Sequence, residues 1–247
     1  MTPNEITIGP EYCGPDGMDN GGYVSGKIAA FYDGPIEIFL RKPVPLGRAL
    51  NFEWFEDVLL LCDGYDVVAT AVPTSPAMSV PTPPSYQEAV HATRLAMPAA
   101  EHPFPRCFVC GPDREAGAGL RLFPGALDDR PMVAAPWLPG EALADEAGNV
   151  KSEFVHAALD CPGGFAAALG QTFRPAVLGR YSVWMEQPVR AGEPHVVVGW
   201  RIGGIGRKHE VGTALFTRDG ELRASARATW IELAEPNGQT RGLRRVA

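Results

Sequence analysis

Two widely separated stretches of this chain, Pro43-Val-Pro-Leu-Gly47 and Pro188-Val-Arg-Ala-Gly192, carry the same Pro-Val-x-x-Gly spacing. Each follows a β-type run, Ile36–Leu40 in the first case and Tyr181–Met185 in the second. Each is followed in turn by apolar β-type runs and an Asp-Gly dipeptide, Asp63-Gly64 and Asp219-Gly220. Asp-Gly between such runs marks a tight hairpin, because both central positions of that turn favour positive φ. The runs around these turns are Leu59–Leu61 with Val67–Val72, and Thr213–Phe216 with Leu222–Ile231; Val196–Trp200 lies between the second Pro-Val turn and its hairpin. A small-residue helical stretch stands ahead of each series, beginning at Asn20-Gly-Gly in one half and spanning about 153–169 in the other. Three signals in one order, twice, point to an internal duplication.

A helix followed by antiparallel strands is an α+β pattern, not an alternation of β and α units. Between the two copies lies Ser75-Pro-Ala-Met-Ser-Val-Pro-Thr-Pro-Pro-Ser85, too rich in proline for a central strand or helix. This places a first unit over residues 1–80, a linker over 81–104 with a short helix near 86–96, and a second unit over 105–247. The chain has 247 residues, 45% hydrophobic and 21% charged, as in ordinary globular proteins. Its formal net charge of −7 and lack of a Lys/Arg run argue against a nucleic-acid groove. No apolar run is long enough to span a bilayer, and Met-Thr-Pro-Asn-Glu does not read as a signal peptide, so the expected location is cytoplasmic.

Five cysteines do not suggest a disulfide framework. Cys107 and Cys110 form a C-x-x-C pair, but a structural zinc site needs about four ligands and no second pair completes one. His102 and His156 could be recruited; the expectation is nonetheless a reduced turn with two partly buried thiols, and neither metal nor cofactor.

The stretch His156-Ala-Ala-Leu-Asp-Cys-Pro-Gly-Gly-Phe165 places a carboxylate, Asp160, in the most hydrophobic helix of the chain. Pro162 inside a helix costs on the order of 3 kcal/mol and each glycine up to about 1 kcal/mol. A break or kink, with a new helix start near Cys161-Pro162, is therefore expected. His156 lies one turn before Asp160, where a packing role outweighs a His–Asp dyad. Cys161 points about 100° away from its neighbour, out of reach of activation by Asp160.

The order of elements resembles the hotdog fold, in which a curved antiparallel sheet wraps a central helix, and the whole chain resembles a double hotdog. The closest resemblance is to acyl-CoA thioesterases of the phenylacetate-pathway type. Two motifs carry it. Cys107-Phe-Val-Cys-Gly-Pro-Asp-Arg-Glu-Ala-Gly-Ala-Gly-Leu-Arg-Leu122 looks like the C-x-x-C-G…G-L segment that opens many such domains. The family pattern N-x-x-G-x-x-H-G-G, with an acidic residue nine positions after its His, is matched in part by Gly14–Gly22. There Gly14 replaces the Asn, Asn20 replaces the His, and Ala29 occupies the acidic position. In the second half Asp160 occupies the acidic position, but Lys151-Ser152-Glu153 replaces H-G-G. Each half keeps what the other lacks.

The resemblance implies one composite site for thioester hydrolysis. Asp160 would act as base or nucleophile, with Asn20, Gly21 and Gly22 of the other half at the helix N-terminus that stabilises the oxyanion. Unpaired first-turn amides and the helix dipole suit that role, and glycine admits a close approach to the backbone. Gly163, Gly164 and His156, which share a helix face with Asp160, and Tyr23 beside the donors are expected around the substrate. The substrate would be an acyl-CoA or acyl-carrier-protein thioester, and the protein a monomer or homodimer. The competing readings are a non-catalytic acyl-thioester-binding protein and a hotdog hydratase or dehydratase, whose G-D-x-N-P-x-H motif this chain lacks.

Overall fold

The computed structural model describes residues 4–75 and 78–234. Among these residues eleven strands form one sheet in which every neighbouring pair is antiparallel. The first group comprises β1 (Glu5–Thr7), β2 (Ile36–Leu40), β3 (Ala49–Phe55), β4 (Val58–Asp63) and β5 (Asp66–Pro73). The second comprises β6 (Gly125–Ala126), β7 (Met132–Trp137), β8 (Ala176–Met185), β9 (His195–Ile205), β10 (Lys208–Thr217) and β11 (Leu222–Glu232). Their spatial order is β1-β3-β4-β5-β2-β8-β11-β10-β9-β7-β6, so the two groups meet at one seam, β2 against β8. Three residue pairs make that seam: Glu37 with Ser182, Ile38 with Tyr181 and Phe39 with Arg180. Both Asp-Gly turns close hairpins, and Gly64 and Gly220 sit at φ +60° and +89°, where a side chain would be strained.

Among the described residues three α-helices accompany the sheet: α1 (Gly21–Ala29), α2 (Tyr86–Thr93) and α3 (Ser152–Ala167). The helices α1 and α3 pack on each other and share one core with the sheet. Their approach is close enough to exclude side chains on α1. A methyl group on Gly22 would lie 2.5 Å from Asp160 Cβ and 2.7 Å from the His156 carbonyl oxygen; one on Gly26 would lie 2.4 Å from Glu153 Cα. Glycines one turn apart thus form the groove into which α3 settles.

The proline-rich segment leads into α2, opened by a capping box between Ser85 and Glu88. This helix covers the opposite face of the second strand group. Along β9, Val197 belongs to the core with α3, while Val196, Val198 and Trp200 belong to a second cluster with Ala89 and Ala92 of α2. Burial on both faces explains why Val196–Trp200 is uninterrupted by polar residues.

The expected break at Cys161-Pro162 does not occur, and α3 runs unbroken from Ser152 to Ala167. Sheet hydroxyls brace the helix in the turn that leads to Asp160: Tyr181 Oη donates to the His156 carbonyl at 2.8 Å and Thr213 Oγ1 to the Leu159 carbonyl at 2.8 Å. These bonds, with burial of thirteen of its sixteen residues, offset the cost of the proline.

Candidate functional site

The N-terminus of α1 points into the flank of α3 at Asp160. Asn20 caps α1, its Oδ1 accepting from the Tyr23 amide at 2.9 Å. That bond turns its Nδ2 toward α3, where it donates to Asp160 Oδ2 at 3.0 Å. The Gly22 amide donates to the same oxygen, also at 3.0 Å. Asp160 is 2% exposed, and its Oδ1 has no partner among the described residues. Residues from the two halves of the chain therefore converge at hydrogen-bond distance.

Burial pushes the Asp160 carboxyl up to about 8, helped by the neighbouring Cys107 and Asp19, while the Gly22 amide and Asn20 pull it down. The site holds a second acid that the sequence reading passed over. Asp19 is buried, with its Oδ1 accepting from the Val44 amide at 3.2 Å and its Oδ2 unpartnered. Burial pushes it to about 7. Its signal was weak, because an acid next to a helix N-cap usually points to water.

Gly21, Asn20 and Asp160 line a cavity of about 350 Å3. Phe104, Phe165, Phe173, Leu178 and Trp230 give it an apolar wall, and Arg41, Lys42 and Arg174 bring positive charge to its rim. The Gly21 amide, first of the helix, has no acceptor among the described residues. Gly22 plays a different part from the one expected. Its amide is taken by Asp160, and its missing side chain admits α3.

The residues expected around the substrate divide. Gly164 lines the cavity; Gly163, His156 and Tyr23 do not. Gly163 backs onto the sheet, where an added methyl would lie 2.8 Å from Trp230 Nε1 and 2.9 Å from Val211. His156 lies 2.8 Å through Nδ1 from the Ser152 carbonyl and packs edge-on against Tyr181, and burial lowers it to about 4. It is a neutral packing residue. Tyr23 stacks on Tyr12, ring centroids 4.0 Å apart. Arg180, a possible partner for Asp160, instead pairs with Glu37.

Cys161 is where the C-x-x-C turn arrives. Its sulfur lies 3.7 Å from that of Cys107, and the sulfurs of Cys107, Cys110 and Cys161 all lie within 4.8 Å of one another. All three are free and fully buried, not partly buried as the pair was expected to be. Hydrogen bonds from the Cys110 and Cys161 thiols and from the Val109 and Cys110 amides hold the Cys107 thiol well below the usual range, against burial. Cys110 and Cys161, which supply those bonds, are pushed up. Their meeting was not legible from spacing, since Cys107 and Cys161 are 54 residues apart.

No protein-family model matches this sequence, and no curated protein matches it. The solved structures do. An acyl-CoA thioesterase II, TesB2, from Mycobacterium marinum superposes with a TM-score of 0.60 at 10% identity, over 95% of this chain and 94% of that one. A tesB protein of Mycobacterium avium subsp. paratuberculosis gives 0.57 at 13% identity, over 88% of each chain. The fold is that of the hotdog thioesterases. At these identities the likeness concerns the fold alone. No helix among the described residues is long and apolar enough to cross a membrane.

Proposed function

We propose that the chain is a pair of fused hotdog units that hydrolyses acyl thioesters at one composite site, with Asp160 as its acid–base group. The observation that carries this reading is the convergence of the Gly22 amide and Asn20 Nδ2 on Asp160 Oδ2, both at 3.0 Å, on the wall of an apolar cavity. The acyl chain lies along Phe165, Phe173 and Trp230. The thioester oxygen takes the free Gly21 amide, whose charge-stabilising power is greatest as the carbonyl becomes an oxyanion.

Asp160 then removes a proton from water as that water attacks the carbonyl carbon, and the tetrahedral intermediate collapses with loss of the thiolate. Two donors fix the carboxylate through Oδ2, which leaves Oδ1 to meet the water. Its raised affinity for a proton makes it, in its ionised form, a stronger base than a solvated aspartate. Coenzyme A suits the cationic rim better than a neutral carrier would, since Arg41 offers charge to its phosphates. An acyl-carrier protein presents its thioester through the same phosphopantetheine chemistry and is the second candidate.

A hydrolysis screen over acyl-CoA and acyl-carrier-protein esters of increasing chain length, read by thiol release, tests the reading. Turnover that disappears in Asp160→Ala supports it. Turnover that survives that substitution refutes the role of Asp160. Tight binding of CoA esters without turnover identifies a binding protein instead.

A further inference from the structure

We propose that Cys107, Cys110 and Cys161 bind a thiophilic divalent cation, zinc, with the fourth coordination position open to the cavity beside Asp160. The inference rests on the sulfur geometry and does not depend on the acyl-transfer reading.

Zinc held tetrahedrally by thiolates at about 2.3 Å requires sulfurs about 3.8 Å apart. The Cys107–Cys161 pair is at 3.7 Å already, and the remaining separations lie within 4.8 Å. Small rotamer adjustments close the triangle. The first two ligands come from one turn, closed by the Gly111 amide donating to the Cys107 carbonyl at 2.9 Å. Gly111 lets that turn close, since a methyl there would lie 2.5 Å from the carbonyl oxygens of both Cys107 and Pro105.

A second donor approaches from the other half of the chain. Asn20 Nδ2 stands 4.0 Å from Cys107 Sγ and 3.9 Å from Cys161 Sγ, while bonded to Asp160 Oδ2 at 3.0 Å. Cys107, Cys161 and Asp160 thus share one N–H donor, which already stands beside two of the three sulfurs. Asp160 Oδ1, buried and unpartnered, adds an acceptor for a metal-bound water.

The histidines do not complete the set. His102 Nδ1 accepts from the Phe104 amide at 3.1 Å, which places the ring proton on Nε2 and removes its lone pair from metal binding. His156 is held by the Ser152 carbonyl on a different face of α3. Three protein ligands remain, all lining the cavity, so the fourth is a water or a cavity occupant. Binding replaces the thiol protons, which pass to solvent, and involves no change of oxidation state.

The experiment uses the full-length protein, reduced, stripped with a chelator and checked for folding by circular dichroism. It is titrated with Zn(II) and, separately, with Co(II). The expected result is one equivalent bound, a thiolate-to-cobalt charge-transfer band, and ligand-field bands of tetrahedral intensity. Cys110→Ser and Cys161→Ser should each weaken binding at least tenfold and reduce the charge-transfer band. Asp160→Asn, which removes no thiolate, should keep the stoichiometry and the band. Failure of the folded, reduced wild-type protein to bind either metal overturns the proposal. So does binding unaffected by Cys161→Ser, or mass-spectrometric detection of a disulfide among the three cysteines in protein purified under reductant.

Discussion

Asp160 Oδ2 accepts a hydrogen bond from the backbone amide of Gly22, 138 residues away, at 3.0 Å. A carboxylate in one helix is thereby fixed by the first turn of another. Replacing Asp160 by Asn preserves size and removes the base proposed above. The expected loss in kcat for thioester hydrolysis is at least about 100-fold, the usual scale for a positioned general base, with a much smaller change in KM. Steady-state kinetics on the best ester from the screen checks this.

Gly22 and Gly21 should respond differently to an added methyl group. At Gly22 it meets Asp160 Cβ at 2.5 Å together with backbone of α3, which cannot yield without moving a helix. At Gly21 the nearest atoms are Leu40 Cδ1 at 2.9 Å and the Leu178 side chain at 3.0 Å, which can shift. Gly22→Ala is expected to cost about 1–3 kcal/mol and Gly21→Ala less, measured by denaturant unfolding.

Asp19 makes a stability prediction with a definite sign. Its carboxyl sits near 7 in the fold and at about 3.8 when solvated, so the folded state prefers the protonated form. Stability from this group is complete below about pH 4 and is lost as pH rises to about 7. Asp19→Asn should therefore stabilise the protein at pH 8, by about 2–4 kcal/mol, relative to its effect at pH 4. Paired urea titrations at the two pH values would reveal it, and an equal effect at both would contradict the assignment.

His156 runs the other way in acid. Burial lowers it from 6.5 to about 4, so the unfolded chain binds a proton first. The contribution is intact above about pH 6.5 and declines as pH falls toward 4, by about 3 kcal/mol in all. The wild-type protein should lose stability relative to His156→Gln across that window, with the difference constant above pH 7.

Arg41 lies on the cavity rim over the Phe39 ring, with its guanidinium carbon 4.7 Å from the ring centroid. If it meets a coenzyme A phosphate, Arg41→Ala should raise KM for acyl-CoA esters several-fold and leave kcat nearly unchanged, with the difference shrinking as salt is added.

Much of this arrangement is legible in the sequence. The meeting of Asn20 and Gly22 with Asp160 was expected from the family resemblance, and the three residues are within hydrogen-bond distance. Strands with a hairpin signal, such as those around Asp63-Gly64 and Asp219-Gly220, were readable from turn chemistry. β3, with exposed Trp54 and Phe55, and β7, with Pro136 inside it, carry mixed signals that only their neighbours resolve. The unbroken α3 was missed because its compensating hydroxyls, Tyr181 and Thr213, come from distant strands. Gly163 was misplaced for a related reason. Helical periodicity says which residues share a face, but not whether that face meets a cavity or a tryptophan. The role of Gly22 in helix approach and the third sulfur at Cys161 are likewise long-range facts.

The seam between β2 and β8 has a consequence for how such a site persists. Only three residue pairs join the strand groups there, yet both groups belong to one polypeptide. The encounter of Asn20 with Asp160 is therefore intramolecular, governed by an effective local concentration and not by how much protein is present. Dilution cannot separate the donors from the carboxylate, as it could for a site shared between two subunits. Each half is also free to diverge alone, since a substitution in one is not imposed on the other by symmetry.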